Sequence, residues 1–306
     1  MSQFSSQSFK SENYGLYRPN YPPSFFNNLI KNYHNGNDFR TALDIGCGPG
    51  EATFPLARLL HFDKVIGIDP SLRMVEAAQK SIPTEYADKI IFKQSRAESI
   101  SFISNNSIDL ITSAQAAHWF DHDVWFKEMA RILKDNGSLI YFGYADPIIQ
   151  SVDGDPSDIK GDFAKANELL LTYFYNSKYL GNYWEQPGRS IIRNLNKDID
   201  AKIPKDLYYD FKSGRYDPIG EDKTPINDLY IWKKNLKLQD FINYFSTFSS
   251  VHKWHESHNN VLKGSKDDIV VKFTDEFKSR FGWNLDKKIN VIWKSCYTMI
   301  RRIPRK

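Results

Sequence analysis

Short apolar runs alternate with stretches of helical periodicity between residues 40 and 145. The runs predict buried strands, and apolar residues spaced three or four apart predict amphipathic helices. The predicted strands are Thr41–Ile45, Val65–Ile68, Ile90–Lys93, Ile108–Ala114 and Gly137–Gly143. The helices predicted between them are Glu51–Leu60, Ser71–Gln79 and Asp123–Leu133. This alternation favours a parallel sheet with helices packed on it.

The flanking segments carry patterns of their own. Pro22–Tyr33 predicts a helix, which we expect to pack over the mouth of a ligand site. Its apolar face consists of Phe25, Phe26, Leu29 and Ile30. Residues 148–161 and 212–227 are rich in turn-forming residues, so the first predicts a loop and the second has no clear element. The remaining predictions are helices at Asp162–Tyr175, Leu238–Phe248 and Ile269–Arg280, a helical turn at Arg189–Leu195, and strands at Leu207–Phe211 and Ile289–Tyr297.

Composition narrows the class of protein. The chain has 306 residues, of which 41% are hydrophobic and 25% charged, as in ordinary globular proteins. The aromatic share of 15% is high, so rings must fill a core or line a pocket. The net charge of +4 is too small to indicate a nucleic-acid partner. No apolar stretch approaches the roughly 20 residues needed to span a bilayer, so we expect no membrane partner.

The start of the chain and its cysteine content favour the cytoplasm. Met1 to Phe4 lacks the basic and apolar regions of a signal peptide. Cys47 and Cys296, the two cysteines, provide no disulfide framework and fit a reducing compartment. We expect a cytoplasmic monomer. We expect no metal site, because no cysteines or carboxylates accompany the spaced histidines, which are His118, His122, His252, His255 and His258.

A glycine-rich loop followed by an acid is the most informative motif. Leu43–Gly50 reads Leu-Asp-Ile-Gly-Cys-Gly-Pro-Gly and begins within the first predicted strand, and Asp69 ends the second strand. Glycines let a backbone turn sharply and approach a ligand, and an acid after the second strand can accept hydrogen bonds from ribose hydroxyls. The pair predicts a pocket for a nucleoside.

The glycine spacing and Asp44 narrow the ligand. A dinucleotide site has Gly-x-Gly-x-x-Gly around a pyrophosphate, whereas Gly46, Gly48 and Gly50 give Gly-x-Gly-x-Gly. The carboxylate of Asp44, just before this loop, suits a cationic or amine-bearing ligand better than a pyrophosphate. S-adenosylmethionine carries both a sulfonium and an ammonium group.

With this acid, this loop and a second-strand acid, residues 40–145 resemble the class I S-adenosylmethionine-dependent methyltransferases. The resemblance implies S-adenosylmethionine as the cofactor, with Asp69 on the ribose hydroxyls, the loop beside the methionine part, and Pro70 and Met74 beside the adenine. Arg96 departs from the family pattern, since many members have an Asp there that contacts the adenine. The cofactor-binding residues implied are Asp44, Gly46, Cys47, Gly48, Gly50, Asp69, Pro70, Met74, Ala97, Glu98 and Gln115.

The same resemblance implies the architecture. It predicts one Rossmann-like α/β domain, with a mostly parallel seven-stranded sheet, an antiparallel C-terminal strand and a helical cap. Its parts are an N-terminal cap (1–39), a cofactor-binding core (40–146), a substrate cap (147–205) and a C-terminal completion of the sheet and cap (206–306).

Four further motifs lie outside the glycine loop. They are 17–22 (Tyr-Arg-Pro-Asn-Tyr-Pro), 117–121 (Ala-His-Trp-Phe-Asp), 143–147 (Gly-Tyr-Ala-Asp-Pro) and 181–190 (Gly-Asn-Tyr-Trp-Glu-Gln-Pro-Gly-Arg-Ser). With them the chain resembles the fungal trans-aconitate methyltransferases over nearly its full length. This implies a small polycarboxylate acceptor, trans-aconitate or a related acid such as isopropylmalate, methylated to a mono-ester. The acceptor-binding residues implied are Tyr17, Arg18, His118, Trp119, Tyr144, Trp184, Arg189 and Arg193.

The chemistry of carboxylate methylation agrees with these residue types. A carboxylate is ionised at neutral pH, so no general base is required, and the protein must align the reactants and exclude water. Arginine is the best bidentate partner of a carboxylate. We expect Arg18 and Arg189 on carboxylates that do not react, because a guanidinium on the attacking oxygen would lower its nucleophilicity. His118 and Trp119 are expected to position the acceptor.

Two other functions stay open on the sequence. One is a methyltransferase for another small-molecule or xenobiotic acid or for a hydroxyl, which requires His118 to act as a base. The other is a binding module that keeps the cofactor pocket without activity. An RNA or protein methyltransferase is less consistent, because Ala114-Gln115-Ala116-Ala117 stands where many amino-group enzymes have an Asn-Pro-Pro-Tyr type motif.

Overall fold

The computed structural model describes residues 17–305. Its strands are β1 Thr41–Ile45, β2 Lys64–Asp69, β3 Ile90–Gln94, β4 Ile108–Ala114, β5 Leu133–Gln150, β6 Tyr208–Tyr216, β7 Trp232–Lys237 and β8 Lys288–Arg302. They form one eight-stranded sheet in the order β3-β2-β1-β4-β5-β8-β6, with β7 also paired to β8. Every strand predicted from the sequence is present, and β5 and β8 extend well beyond their predicted bounds.

The C-terminal strand runs against its neighbours. Strands β1 to β5 pair in parallel, whereas β8 is antiparallel to β5, β6 and β7. The predicted fold class is therefore confirmed, with eight strands where seven were expected. The additional strand, β7, reads Trp-Lys-Lys-Asn-Leu-Lys and is only partly buried. It lacks the apolar pattern that marks the other strands.

Helices cover the sheet on the described part of the chain. The α-helices are α1 Lys31–His34, α2 Thr53–Arg58, α3 Leu72–Lys80, α4 His122–Ile132, α5 Pro156–Ile159, α6 Asp162–Tyr175, α7 Gly188–Arg193, α8 Lys197–Asp200, α9 Leu238–Ser246, α10 Ser249–Ser257 and α11 Ile269–Phe281. The loop predicted at 148–161 is corrected in part, since β5 continues to Gln150 and α5 lies within it. Helix α10 was not predicted, because Val251 and Trp254 are its only large apolar residues. None of the helices in residues 17–305 is both long and apolar enough to cross a membrane.

The N-terminal cap packs on a face of the sheet. A π-helical segment, Phe25–Ile30, continues into α1. The ring centroid of Phe25 lies 4.6 Å from that of Phe142 in β5, and both rings are buried. The predicted helix is confirmed, but it covers the sheet. The ligand site is instead bordered by the segment before this helix.

Strand order reverses at β1, which positions the site. Strand β1 pairs with β2 on one side and with β4 on the other, so the chain builds the sheet outward in both directions. In sheets of this kind ligands bind in the crevice at the carboxyl ends of the strands, at the point of reversal. The glycine loop, the end of β2 and the turn after β4 meet there.

Candidate active site

A cavity opens at the carboxyl ends of β1, β2 and β4. This first cavity encloses about 880 Å³ when the open space at its mouth is included. Arg18, Pro19 and Tyr21 of the N-terminal segment also line it. Of the predicted cofactor residues, those that line it are Gly46, Cys47, Gly48, Asp69, Pro70, Met74 and Gln115.

The glycine loop depends on left-handed backbone. Gly46 and Gly48 have φ angles of 68° and 52°. A Cβ on Gly46 would lie 2.3 Å from that of Ala116, so only glycine lets the loop approach the turn after β4. The space at Gly48 is open. The thiol of Cys47, between the two glycines, is buried, and burial raises its pKa well above the usual value, so it stays protonated.

The carboxylate of Asp69 is fixed at the wall of the first cavity. Its Oδ1 accepts a hydrogen bond from the Ser71 N–H at 2.8 Å, and its Oδ2 accepts one from the Gly48 N–H at 3.0 Å. Burial raises the pKa of Asp69, although these two hydrogen bonds oppose the shift. Each oxygen can accept a further hydrogen bond, as the two hydroxyls of a ribose require.

Asp44 lies behind the loop, outside the lining of the cavity. It is fully buried, and its two oxygens accept hydrogen bonds from Thr53 Oγ1 at 2.6 Å and Thr112 Oγ1 at 2.9 Å. Burial raises its pKa to about 6. The expectation that Asp44 contacts a cationic ligand is therefore corrected, because its carboxylate ties β1 to α2 and β4 and supports the loop from behind.

Three other predicted cofactor residues also lie outside the lining. Gly50 faces Phe54, whose ring would be 2.6 Å from a Cβ at this position. Ala97 is buried in the core below the sheet ends. Glu98 is paired with Arg96 at 3.7 Å. Ala97 and Glu98 therefore do not line the first cavity, and their contact with an adenine stays a prediction.

A second cavity, of about 570 Å³, adjoins the first. Residues Arg18, Gln115, Trp119 and Tyr144 line both cavities. Gln115 is fixed in this shared wall, since its Oε1 accepts from the Tyr144 N–H at 2.8 Å and its Nε2 donates to the Tyr144 carbonyl at 2.7 Å. Of the predicted acceptor residues, those that line the second cavity are Arg18, His118, Trp119, Tyr144, Trp184 and Arg189.

Arg189 is held rigidly in the second cavity. Its Nη2 pairs with Asp146 Oδ1 at 2.5 Å and also donates to the hydroxyl of Tyr175. Its Cζ lies 4.0 Å from the ring centroid of Trp184. Its Nε is buried and has no hydrogen-bond partner among the described residues. Because a buried unpaired donor costs about 1–3 kcal/mol, this N–H is suited to an anionic ligand.

Arg18 enters the second cavity from the N-terminal segment. Its Nη2 donates to the Thr247 carbonyl at 3.0 Å, and its Cζ lies 5.4 Å from the ring centroids of Tyr244 and Phe248. Those two rings line the cavity together with Ser249. Sequence reasoning missed all three, since they follow no recognisable motif; only the apolar face of α9 was visible.

His118 is buried beside Arg189. Its ring centroid lies 4.7 Å from that of Trp119. Burial, with smaller contributions from Arg189 and His122, lowers the pKa of His118 to about 3. An imidazole that holds a proton this weakly is a poor general base at neutral pH.

Tyr17 and Arg193 lie outside both linings. Tyr17 packs against the hydrophobic core. Arg193 Nε lies 3.4 Å from Asp146 Oδ2, and its Cζ stands 3.6 Å from the ring centroid of Tyr175. Tyr17 and Arg193 therefore line neither cavity, and their contact with the acceptor stays a prediction. Arg193 follows Arg189 by one helical turn, but it points to the far side of Asp146.

Comparison with known proteins agrees with the site. Residues 43–141 match the family model of the methyltransferase domain. The chain is 28% identical to the probable S-adenosylmethionine-dependent methyltransferase CRG1 of Saccharomyces cerevisiae, over 97% of each chain. It is 29% identical to a candidate methyltransferase of Dictyostelium discoideum, over 86% of this chain and 84% of that one.

Solved structures share the fold. A type II methyltransferase candidate from Anaeromyxobacter dehalogenans superimposes with a TM-score of 0.62 at 19% identity, covering 94% of this chain and 99% of that one. The glycine loop and Asp69 both lie within the matched methyltransferase domain, and both line the first cavity. The open space at Gly48 and the two acceptor oxygens of Asp69 fit S-adenosylmethionine, which is the cofactor. Residues 43–141 therefore form an S-adenosylmethionine-dependent methyltransferase domain.

Proposed function

We propose that this methyltransferase forms a methyl ester on one carboxylate of a small polycarboxylic acid, trans-aconitate or a related acid such as isopropylmalate. One observation carries the proposal, the charge of the second cavity. Two guanidinium groups, Arg18 and Arg189, line it, and no carboxylate side chain is present among its described lining residues. Such a lining favours an acceptor with more than one negative charge.

The unpaired donor of Arg189 supports the same acceptor. Its buried Nε–H has no partner among residues 17–305, and a carboxylate oxygen would satisfy it. The Arg189 guanidinium is already paired with Asp146 on its other side, so it can hold a ligand carboxylate without being displaced. This geometry suits a carboxylate that is bound and does not react.

His118 supports a nucleophile that is already ionised. A hydroxyl or amine acceptor must lose a proton during transfer, and the imidazole with a pKa lowered to about 3 is a weak base for that purpose. A carboxylate needs no such step. In this reaction His118 donates a hydrogen bond or orients the acceptor.

The remaining residues supply alignment and exclusion of water. S-adenosylmethionine provides the electrophilic methyl group. Gln115 and Tyr144 line both cavities and are hydrogen-bonded to each other, so they help to align an acceptor in the second cavity with the cofactor in the first. Trp119 and Trp184 shield that oxygen from water, which would blunt its nucleophilicity.

A panel of di- and tricarboxylates with labelled S-adenosylmethionine tests the proposal. The measurement is base-labile methyl ester, and we expect ester from trans-aconitate or isopropylmalate and far less from monocarboxylates. A base-stable product from a hydroxyl compound, or no product from any acid, would contradict the proposal.

Arg189→Lys makes the test specific to the second cavity. Lysine keeps the charge but loses the planar fork, so we expect the KM for the acceptor to rise about tenfold, equivalent to roughly 1.4 kcal/mol. The Kd of S-adenosylhomocysteine should not change. The matched control is Arg215→Lys, because Arg215 is also a largely buried arginine paired with an aspartate, Asp200, away from both cavities. Equal losses in the two variants would refute a role for Arg189 in acceptor binding.

A further inference from the structure

A buried carboxylate lies behind the second cavity. Asp146 is 4% exposed and belongs to β5. Its Oδ1 accepts hydrogen bonds from Arg189 Nη2 and from the hydroxyl of Tyr175, and its Oδ2 faces Arg193 Nε at 3.4 Å. One aspartate therefore gathers two guanidinium groups and a phenol, and this aspartate is not among the residues that line either cavity.

Arg189 is fixed from three sides of the fold. Asp146 comes from β5, Tyr175 ends α6, and Trp184 precedes α7. The Tyr175 hydroxyl accepts from Arg189 and donates to Asp146, so the three side chains close a ring of hydrogen bonds. The indole of Trp184 is itself held, because its Nε1 donates to the Phe174 carbonyl at 2.6 Å.

This ring determines which edge of the guanidinium meets a ligand. A guanidinium carries five N–H donors in one plane. Because its Nη2 is hydrogen-bonded and its face lies on the Trp184 indole, the directions of the remaining N–H donors are fixed as well. The buried Nε, which has no partner in the described chain, keeps one orientation. A mobile arginine could reach the attacking oxygen and lower its nucleophilicity. Arg189 is held in one orientation and does not move toward that oxygen.

We infer that Asp146 and Tyr175 are positioning residues that aim Arg189 at the non-reacting carboxylate of the acceptor. Because they fix the contact between Arg189 and this carboxylate, efficient methyl transfer requires an acceptor with a second carboxylate. The inference rests on the proposed function and adds the source of its selectivity. Asp146 and Tyr175 act through Arg189 and touch neither substrate.

Asp146→Asn and Tyr175→Phe test the inference, since each keeps the shape of the side chain and removes one part of the ring. We expect the KM for trans-aconitate to rise about tenfold in Asp146→Asn, in the range of coupling between buried neighbours, and by a smaller factor in Tyr175→Phe. The Kd of S-adenosylhomocysteine should stay at the wild-type value. Calorimetric binding of trans-aconitate in the presence of S-adenosylhomocysteine measures the same change without turnover.

Selectivity gives a readout that a purely structural role would not move. The wild type should prefer trans-aconitate to the monocarboxylate crotonate, and the ratio of their kcat/KM values should fall about tenfold in Asp146→Asn. Only an acceptor with a second carboxylate uses the aimed Arg189, so the crotonate rate should change little.

The matched control is Asp200→Asn. Asp200 also accepts from a tyrosine hydroxyl, that of Tyr141 at 2.5 Å, and pairs with an arginine, Arg215, but none of these lines either cavity. It should lower the melting temperature as Asp146→Asn does and leave the KM and the selectivity ratio unchanged. If Asp146→Asn does not fold, Tyr175→Phe carries the test.

The outcomes separate the two proposals. A wild-type protein that binds and methylates no polycarboxylate overturns the proposed function and this inference together. A wild type that methylates trans-aconitate, with an unchanged KM and ratio in Asp146→Asn and Tyr175→Phe, overturns the inference alone. The inference also fails if Asp200→Asn changes the KM and the ratio as much as these two variants do.

Discussion

Burial keeps the imidazole of His118 neutral in the folded protein. Its side chain lies beside Arg189, and its pKa is lowered to about 3. The same effect acts in the opposite direction on Asp44, whose pKa burial raises to about 6. Both residues were predicted to touch a ligand. Thr53 and Thr112 instead donate hydrogen bonds to the carboxylate of Asp44. No sequence motif indicates which residues will be the hydrogen-bond partners of a buried acid.

The neutral His118 makes the protein less stable in acid. Between about pH 6.5 and pH 3 the unfolded chain binds a proton at this residue and the folded chain does not, so the free energy of unfolding falls as the pH falls, by about 1.4 kcal/mol per pH unit. Above this range both states are neutral and the contribution vanishes. In urea melts between about pH 4 and pH 6, His118→Gln should therefore lose stability less steeply than the wild type. Equal slopes would mean that the folded protein also protonates His118.

At the scale of elements, the first cavity depends on the contact between two loops. The loop after β1 meets the turn after β4 where a Cβ on Gly46 would lie 2.3 Å from that of Ala116. Gly48 has the same left-handed backbone but open space around it, which makes it a matched control. The two substitutions share the conformational penalty of alanine and differ in whether the loops must separate.

Gly46→Ala should therefore destabilise the ligand-free protein more than Gly48→Ala. The expected difference in the free energy of unfolding is about 1–3 kcal/mol, the usual cost of overpacking. Thermal or urea unfolding without cofactor measures it. If the two variants unfold alike, the approach of the loops does not constrain the fold and the left-handed backbone alone explains the glycines.

Elements with a strong local pattern were predicted well. Strands β1 and β4 and helix α6 have their predicted bounds, because an apolar run or a helical repeat fixes each of them locally. Strand β7 and helix α10 were missed, since most of their residues are polar and pairing with β8 or packing on α9 and α11 holds them in place. Stabilisation by tertiary contacts cannot be predicted from the local pattern of apolar and polar residues.

At the scale of the whole molecule, the second cavity joins parts of the chain that are far apart in sequence. Arg18 donates to the carbonyl of Thr247, a separation of 229 residues. The motifs around Arg18, His118 and Arg189 made these residues predictable through a family resemblance. Tyr244, Phe248 and Ser249 were not predictable, because only the folded chain brings the end of α9 and the start of α10 against Arg18.

The shared wall of the two cavities should couple their ligands. Arg18, Gln115, Trp119 and Tyr144 line both, and the ring of Trp119 is exposed, so a ligand in one cavity can order a ring that the other ligand also contacts. A second ligand that meets an ordered wall loses less conformational entropy. We expect S-adenosylhomocysteine to tighten the binding of trans-aconitate about fivefold or more, and linkage requires the reverse effect to be equal. Calorimetry in both orders of addition measures this coupling factor.

Trp119→Ala removes the exposed ring of the shared wall, and the coupling factor should then approach one. Affinities in the wild type that do not depend on the other ligand would show that the cavities bind independently, however close their walls lie.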